Sequence, residues 1–171
     1  CDWSDCQSLL DQVVAGVRAG KTGFSPFNMF HVSDAAADQR RCAELWTGSQ
    51  YPAAVAAAAT SRRAAHERLR IAYVSSDLRD HATSYLMAGL FERHDRGRFE
   101  IVAVSSGSTK DSATRARLMR AFDRFVDVPE RSDREIATLL REMEIDIAVD
   151  LNGHTVGART GALAQRPVPI V

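Results

Sequence analysis

Across 171 residues the charges balance, with 22 basic and 22 acidic side chains, and 45% of positions are hydrophobic. That length supports one good core, or one domain with a smaller lobe. A net charge of zero supplies no electrostatic footprint for nucleic acid or an anionic membrane, and no apolar run is long enough to span a bilayer.

Residues 1–66 read as a helical segment, different in kind from the remainder of the chain. Asp5 is placed to cap a helix whose apolar positions Leu9, Leu10, Val13, Val14 and Val17 recur at helical spacing. Gly20 and Gly23 end it, and Ser25-Pro26-Phe27 reads as a loop. Ser33 or Asp34 then caps a second helix through Ala43, Leu45 and Trp46, and the alanine run 53–59 favours helix by propensity. The three cysteines, Cys1, Cys6 and Cys42, have no metal spacing and no C-x-x-C pair, so free thiols in a reducing, cytoplasmic setting are expected.

From residue 67 the texture alternates. Strands are predicted at Ile71–Ser75, Phe99–Ser105, Phe125–Val128 and Ile145–Leu151. Between them lie helices at Tyr85–His94, with Leu86, Leu90 and Phe91 on one stripe, at Ser112–Ala121, and at Asp133–Met143, with Ile136, Leu139, Leu140 and Met143 inward. A short helix at Arg159–Ala164 leads to an apolar run, 168–171, that reads as the start of a fifth strand. A first residue of Cys1 and a strand that stops at Val171 suggest a piece of a larger protein, whose exposed edge at 168–171 offers pairing to a second copy.

This order predicts an α/β fold: a Rossmann-like parallel sheet, order 3-2-1-4-5, preceded by the helical segment. In that order strands one and four are neighbours where the winding reverses, and ligands bind outside their carboxyl ends. Two unusual loops leave those ends, 75–84 and 150–155. His81, Asn152, His154 and Thr155 are therefore expected to share one crevice. His81 reads as a general base or a sugar-binding hydrogen-bonder, or else as a loop or capping residue. Asp77 binds a ligand or stabilises its own turn. Thr83 and Ser84 read as the cap of the next helix. In Asn152-Gly153-His154-Thr155 the glycine permits a tight turn and the uncharged donors and acceptors suit a hydroxyl-rich ligand; an ordinary Asx turn explains them too. Asp150 pairs with Arg159 or orients His154. Arg115, Arg117, Arg120 and Arg124 read as a solvated face. His31, His66 and His94 read as surface or packing residues. Neither a metal-ligand constellation, nor G-x-G-x-x-G after the first strand, nor a phosphate-loop pattern is present.

The runs Arg70-Ile71-Ala72-Tyr73-Val74-Ser75-Ser76-Asp77 and His81-Ala82-Thr83-Ser84-Tyr85-Leu86 resemble the start of the catalytic region of the O-linked N-acetylglucosamine transferase (SPINDLY-like) family, bacterial type. Asp146-Ile147-Ala148-Val149-Asp150-Leu151-Asn152-Gly153-His154-Thr155, Gly157-Ala158-Arg159 and the run 163–170 are similar to its later signature. Cys1-Asp2-Trp3-Ser4-Asp5 resembles the segment after its tetratricopeptide repeats. The resemblance implies a junction at 1–66 and a truncated first catalytic lobe at 67–171. It implies transfer of N-acetylglucosamine from UDP-GlcNAc to Ser/Thr hydroxyls of proteins or peptides, inverting, without metal and without a cofactor. The donor would be held mainly by a second lobe, so this chain alone would be inactive. The family's His-x-x-Ser histidine falls on His81, as base or sugar-orienting group, and its Asn-Gly-x-Thr turn falls on Asn152, Gly153 and Thr155. Where animal members have proline after that histidine, this chain has Ala82. Two readings compete: fucose transfer from GDP-fucose within the same family, and a non-catalytic α/β interaction module.

Overall fold

A computed structural model describes residues 4–52 and 66–171, and the chain falls into two compact units divided between residues 56 and 57. The expected helix over the alanine run lies outside the described residues.

The first unit is built on α1 (Cys6–Arg18), α2 (Pro26–Met29) and α3 (Ala36–Gln50). Gly20 ends α1 in a left-handed conformation, φ +83°, with Lys21 N–H on the Gly16 carbonyl and Gly20 N–H on that of Val17. That crossed pair satisfies the last carbonyls of the helix, and only a residue without Cβ adopts it freely. The segment 25–27, expected as a loop, instead starts α2: Pro26 occupies the first turn, where its missing N–H costs nothing. The expected caps of α3 are also displaced. Ala35 is the N-cap, while the Ser33 hydroxyl accepts from Ala35 N–H and donates to Asp38. Asp38 is 4% exposed and takes a two-pronged bond from Arg18, at 2.7 and 2.8 Å. That guanidinium holds the Asp38 carboxyl below its ordinary range. Val17, Met29 and Cys42 form the core, and burial raises the Cys42 thiol above its ordinary value.

The second unit carries the sheet. Its strands are β1 (Leu69–Ser75), β2 (Phe99–Ser105), β3 (Arg124–Asp127) and β4 (Ile147–Asp150), all parallel, in the order β3-β2-β1-β4. The expected fifth strand is present as one parallel bridge, Ile147 to Ile170, in the expected place beside β4. The helices are α4 (Ala82–Glu92), α5 (Ala113–Ala121), α6 (Asp133–Glu142) and α7 (Thr160–Leu163). β1 and β2 are apolar at consecutive positions because both faces are covered. Ala72, Val74, Val102 and Val104 meet Ile136 and Leu140 of α6 in one core. Ile71, Tyr73, Ile101 and Ala103 meet Phe91 of α4 and Leu118 of α5 in the other. Ser132 and Glu135 close a reciprocal capping box at the start of α6.

Three local expectations give way to tertiary structure. The inward face of α4 is Ser84, Ala88 and Phe91, whereas Leu86 and Leu90 are 82% and 48% exposed; small residues let the helix approach the sheet. Arg115 belongs to the interior rather than to a solvated face: it is 3% exposed, grips Asp127 at 2.7 and 2.6 Å, and lies over the Phe125 ring. Arg159 pairs with Asp133, at 2.7 Å, and not with Asp150.

Candidate functional site

The parallel register puts Ser75 beside Ser105 and Val74 beside Asp150, so the loops after β1, β2 and β4 emerge together at one edge of the sheet. Each loop is shaped by short polar side chains that satisfy backbone groups the strands have left behind.

After β1, Asp77 N–H donates to the Ser75 hydroxyl at 3.0 Å, and the Ser84 hydroxyl donates to the Asp77 carbonyl at 2.6 Å. The cap of α4 is His81 itself, not Thr83 or Ser84: extended at φ −158°, it accepts Thr83 N–H on Nδ1 at 3.3 Å. An N–H can only donate, so in the neutral ring the proton sits on Nε2. After β4, Asp150 Oδ1 accepts the N–H groups of Asn152 and Gly153, at 2.9 and 3.1 Å, and the Thr155 hydroxyl closes on the Asn152 carbonyl at 2.9 Å. Gly153 takes φ +57° in that turn. Asp150 is therefore a turn-forming residue.

Asn152 joins the loops. Its Oδ1 accepts Ser76 N–H at 2.8 Å, while Nδ2 donates to Asp77 Oδ2 at 2.9 Å and to the Ser76 hydroxyl at 3.1 Å. Asn152 is 7% exposed and Asp77 8%, so this polar joint is largely withdrawn from solvent. Arg79 balances the Asp77 carboxylate from the other side, at 3.2 Å. Gly157 (φ +86°) and Gly107 bring their backbones against Ser76; a Cβ on Gly107 would sit 1.9 Å from the Ser76 carbonyl oxygen.

These loops enclose a crevice of about 640 Å³. Of the candidate site residues read from sequence, Asp77, His81 and Thr155 line it, as does Thr83, which was read as a cap. Asn152, Gly153 and His154 do not: the amide of Asn152 is engaged by the loop joint, Gly153 sits at the outer turn, and His154 is half-buried away from the lining. The lining also includes Ser76 and Gly157, which belong to the motifs quoted from sequence, and Ser106 and Gly107, which sequence reasoning passed over. A repeated Ser-Ser pair at two strand ends, 75–76 and 105–106, was the available signal. Beside the crevice, the Asp80 carboxyl is held below its ordinary value, foremost by the Thr114 hydroxyl. Among the described residues no three His, Cys, Asp or Glu side chains converge as metal ligands, and no helix is long and apolar enough to cross a membrane.

A family model described as Glycosyl transferase family 41 matches residues 50–171. The probable UDP-N-acetylglucosamine–peptide N-acetylglucosaminyltransferase SEC of Arabidopsis thaliana is 36% identical over 109 residues, 64% of this chain and 11% of the relative. The UDP-N-acetylglucosamine–peptide N-acetylglucosaminyltransferase of Caenorhabditis elegans is 37% identical over 105 residues, 61% of this chain and 9% of the relative. This chain thus spans about a tenth of the length of these curated relatives. A solved structure of a mutant O-GlcNAc transferase of Thermobaculum terrenum superposes with a TM-score of 0.65 at 28% identity, covering 96% of this chain and 30% of that one.

Proposed function

The chain belongs to glycosyl transferase family 41, and on that premise we propose that its native gene product transfers N-acetylglucosamine from UDP-GlcNAc to serine or threonine hydroxyls of protein acceptors. The observation that carries the reading is the crevice at the reversal of the sheet, walled by His81, Thr155 and three serines, Ser76, Ser106 and Ser108. Uncharged hydroxyls suit a sugar, and the one carboxylate at the wall, Asp77, is already engaged by Asn152 and Arg79. Relatives named for this same transfer support it. Residues 1–66 serve as a helical junction and 67–171 as the first of two lobes around the cleft. The setting is cytoplasmic, in keeping with a free buried thiol at Cys42.

The reaction is an inverting displacement. The acceptor hydroxyl oxygen attacks the anomeric carbon opposite the nucleotide, the carbon–oxygen bond to the diphosphate breaks, and the hydroxyl proton passes to a diphosphate oxygen. Because Nδ1 of His81 is occupied by Thr83 N–H, the imidazole serves as a donor from Nε2, orienting a sugar oxygen rather than removing the proton. Thr155 and Asp77 meet the ligand from the lining, and Asn152 holds the two loops in register.

The test is mass spectrometry of Ser/Thr peptides incubated with the native gene product and either UDP-GlcNAc or GDP-fucose. Addition of N-acetylhexosamine is expected. Deoxyhexose addition would replace the donor, and no addition from either would refute transferase activity. Loss of one orienting hydrogen bond in His81→Ala lowers kcat/KM roughly tenfold. A loss of about a thousandfold or more would instead assign His81 as the base.

A further inference from the structure

The loop after β2 forms a wall of the crevice that no sequence motif announced. Ser106 N–H continues the ladder by donating to the Ser75 carbonyl at 3.0 Å, and Gly107 is pressed against the Ser76 backbone. Ser106 lines the crevice, yet its hydroxyl oxygen is buried and has no hydrogen-bond partner among the described residues. A buried hydroxyl without a partner carries an unmet desolvation cost. Every neighbouring polar side chain of the joint has its partner: Ser75 holds Asp77 N–H, and Ser76 holds Asn152. Of these serines only Ser106 lacks one, and rotation about its Cα–Cβ bond gives up no hydrogen bond.

We propose that Ser106 is a substrate-binding residue, whose hydroxyl turns into the crevice to bond a neutral oxygen, a hydroxyl or carbonyl, of the bound substrate. The proposal rests on the transferase reading for its substrates. That oxygen can belong to the donor sugar or to the acceptor peptide backbone, and kinetics separates the two sources. The neighbouring backbone is rigid, held by the Ser75 carbonyl and by the close approach of Gly107, so the rotation needs no loop movement.

The experiment compares Ser106→Ala with the wild-type native gene product. Loss of one neutral hydrogen bond is expected to raise one KM about fivefold, with kcat retained. A rise in the KM for UDP-GlcNAc assigns the bond to the sugar, and a rise in the KM for the peptide assigns it to the acceptor. The melting temperature of the variant is expected to equal or exceed that of wild type, because no bond of the free protein is lost; a drop of several degrees would show a structural serine and overturn the proposal. Unchanged KM values for both substrates would also overturn it while leaving the transferase reading intact. Were wild type to transfer no sugar, amide shifts of the native gene product on titration with UDP-GlcNAc and with peptide would decide: perturbation at 105–108 that Ser106→Ala removes supports the proposal, and silence there refutes it.

Discussion

Replacing Asn152 by aspartate tests the loop joint with almost no change of shape. The Oδ1 that accepts Ser76 N–H at 2.8 Å is retained. The Nδ2 that donates to Asp77 Oδ2 at 2.9 Å becomes an oxygen, so two carboxylates face each other in a site where both residues are more than nine-tenths buried. At an effective dielectric of about 20 that repulsion is on the order of 5 kcal/mol. The pair escapes by binding a proton, which at pH 8 costs about 1.4 kcal/mol for each unit between pH 8 and a carboxylate value near 4, again about 5 kcal/mol. Asn152→Asp is therefore expected to lose about 4–5 kcal/mol of unfolding free energy at pH 8. The loss shrinks steadily as pH falls towards 5, where the two carboxyls share a proton. Asn152→Ala loses about 3–4 kcal/mol, since Ser76 N–H and Asp77 are left unpaired, without that recovery in acid. Urea denaturation at pH 8, 6.5 and 5 reads both series. A penalty for Asn152→Asp below about 1 kcal/mol at pH 8, or one that does not depend on pH, refutes the buried joint.

Gly107→Ala drives a methyl against a backbone carbonyl that has no rotamer by which to yield, so about 3 kcal/mol of destabilisation is expected from the urea midpoint, and a neutral result would place the loop elsewhere. His94 shares a 2.8 Å hydrogen bond with the Tyr73 hydroxyl, and burial holds its imidazole below the ordinary value near 6.5. The folded state thus binds the proton less readily than the unfolded chain: stability is full above pH 6.5 and falls as pH drops through the lower, folded value. Melting temperatures between pH 7.5 and 5 are expected to fall less steeply in His94→Gln than in wild type, and identical slopes would contradict this.

Where periodicity is dense, sequence and structure agree closely. Phe99–Ser105 is a strand at the bounds read from its unbroken apolar run, and the two-faced burial of β1 and β2 is what such runs require. Strand order alone is enough to bring the 75–84 and 150–155 loops together. The features that escaped depended on partners distant in sequence. Leu86 and Leu90 look inward by hydrophobicity, but Ala88 and Ser84 fit the space above the sheet and leave them outside. Arg115 looks solvated until Asp127, at the end of another element, supplies its counter-charge. Asn152 reads from sequence as a site residue, but the engagement of its amide by Ser76 and Asp77, which keeps it out of the crevice lining, was not legible. The wall at 105–108 left only the repeated Ser-Ser pair as a trace in the sequence, because the need for glycine at 107 arises from the approach of the Ser76 carbonyl.

The loop after β1 is itself core: Leu78 is 1% exposed, Ser84 is fully buried, and Arg115 reaches the Leu78 carbonyl from α5 at 3.5 Å. Such a segment moves only when much of the unit comes apart with it. An incoming molecule docks on a floor that stands ready, and little conformational entropy is surrendered on that side. Discrimination among ligands then falls to outlying side chains such as Val156, 98% exposed at the rim, which can vary through evolution without shaking the foundation beneath them.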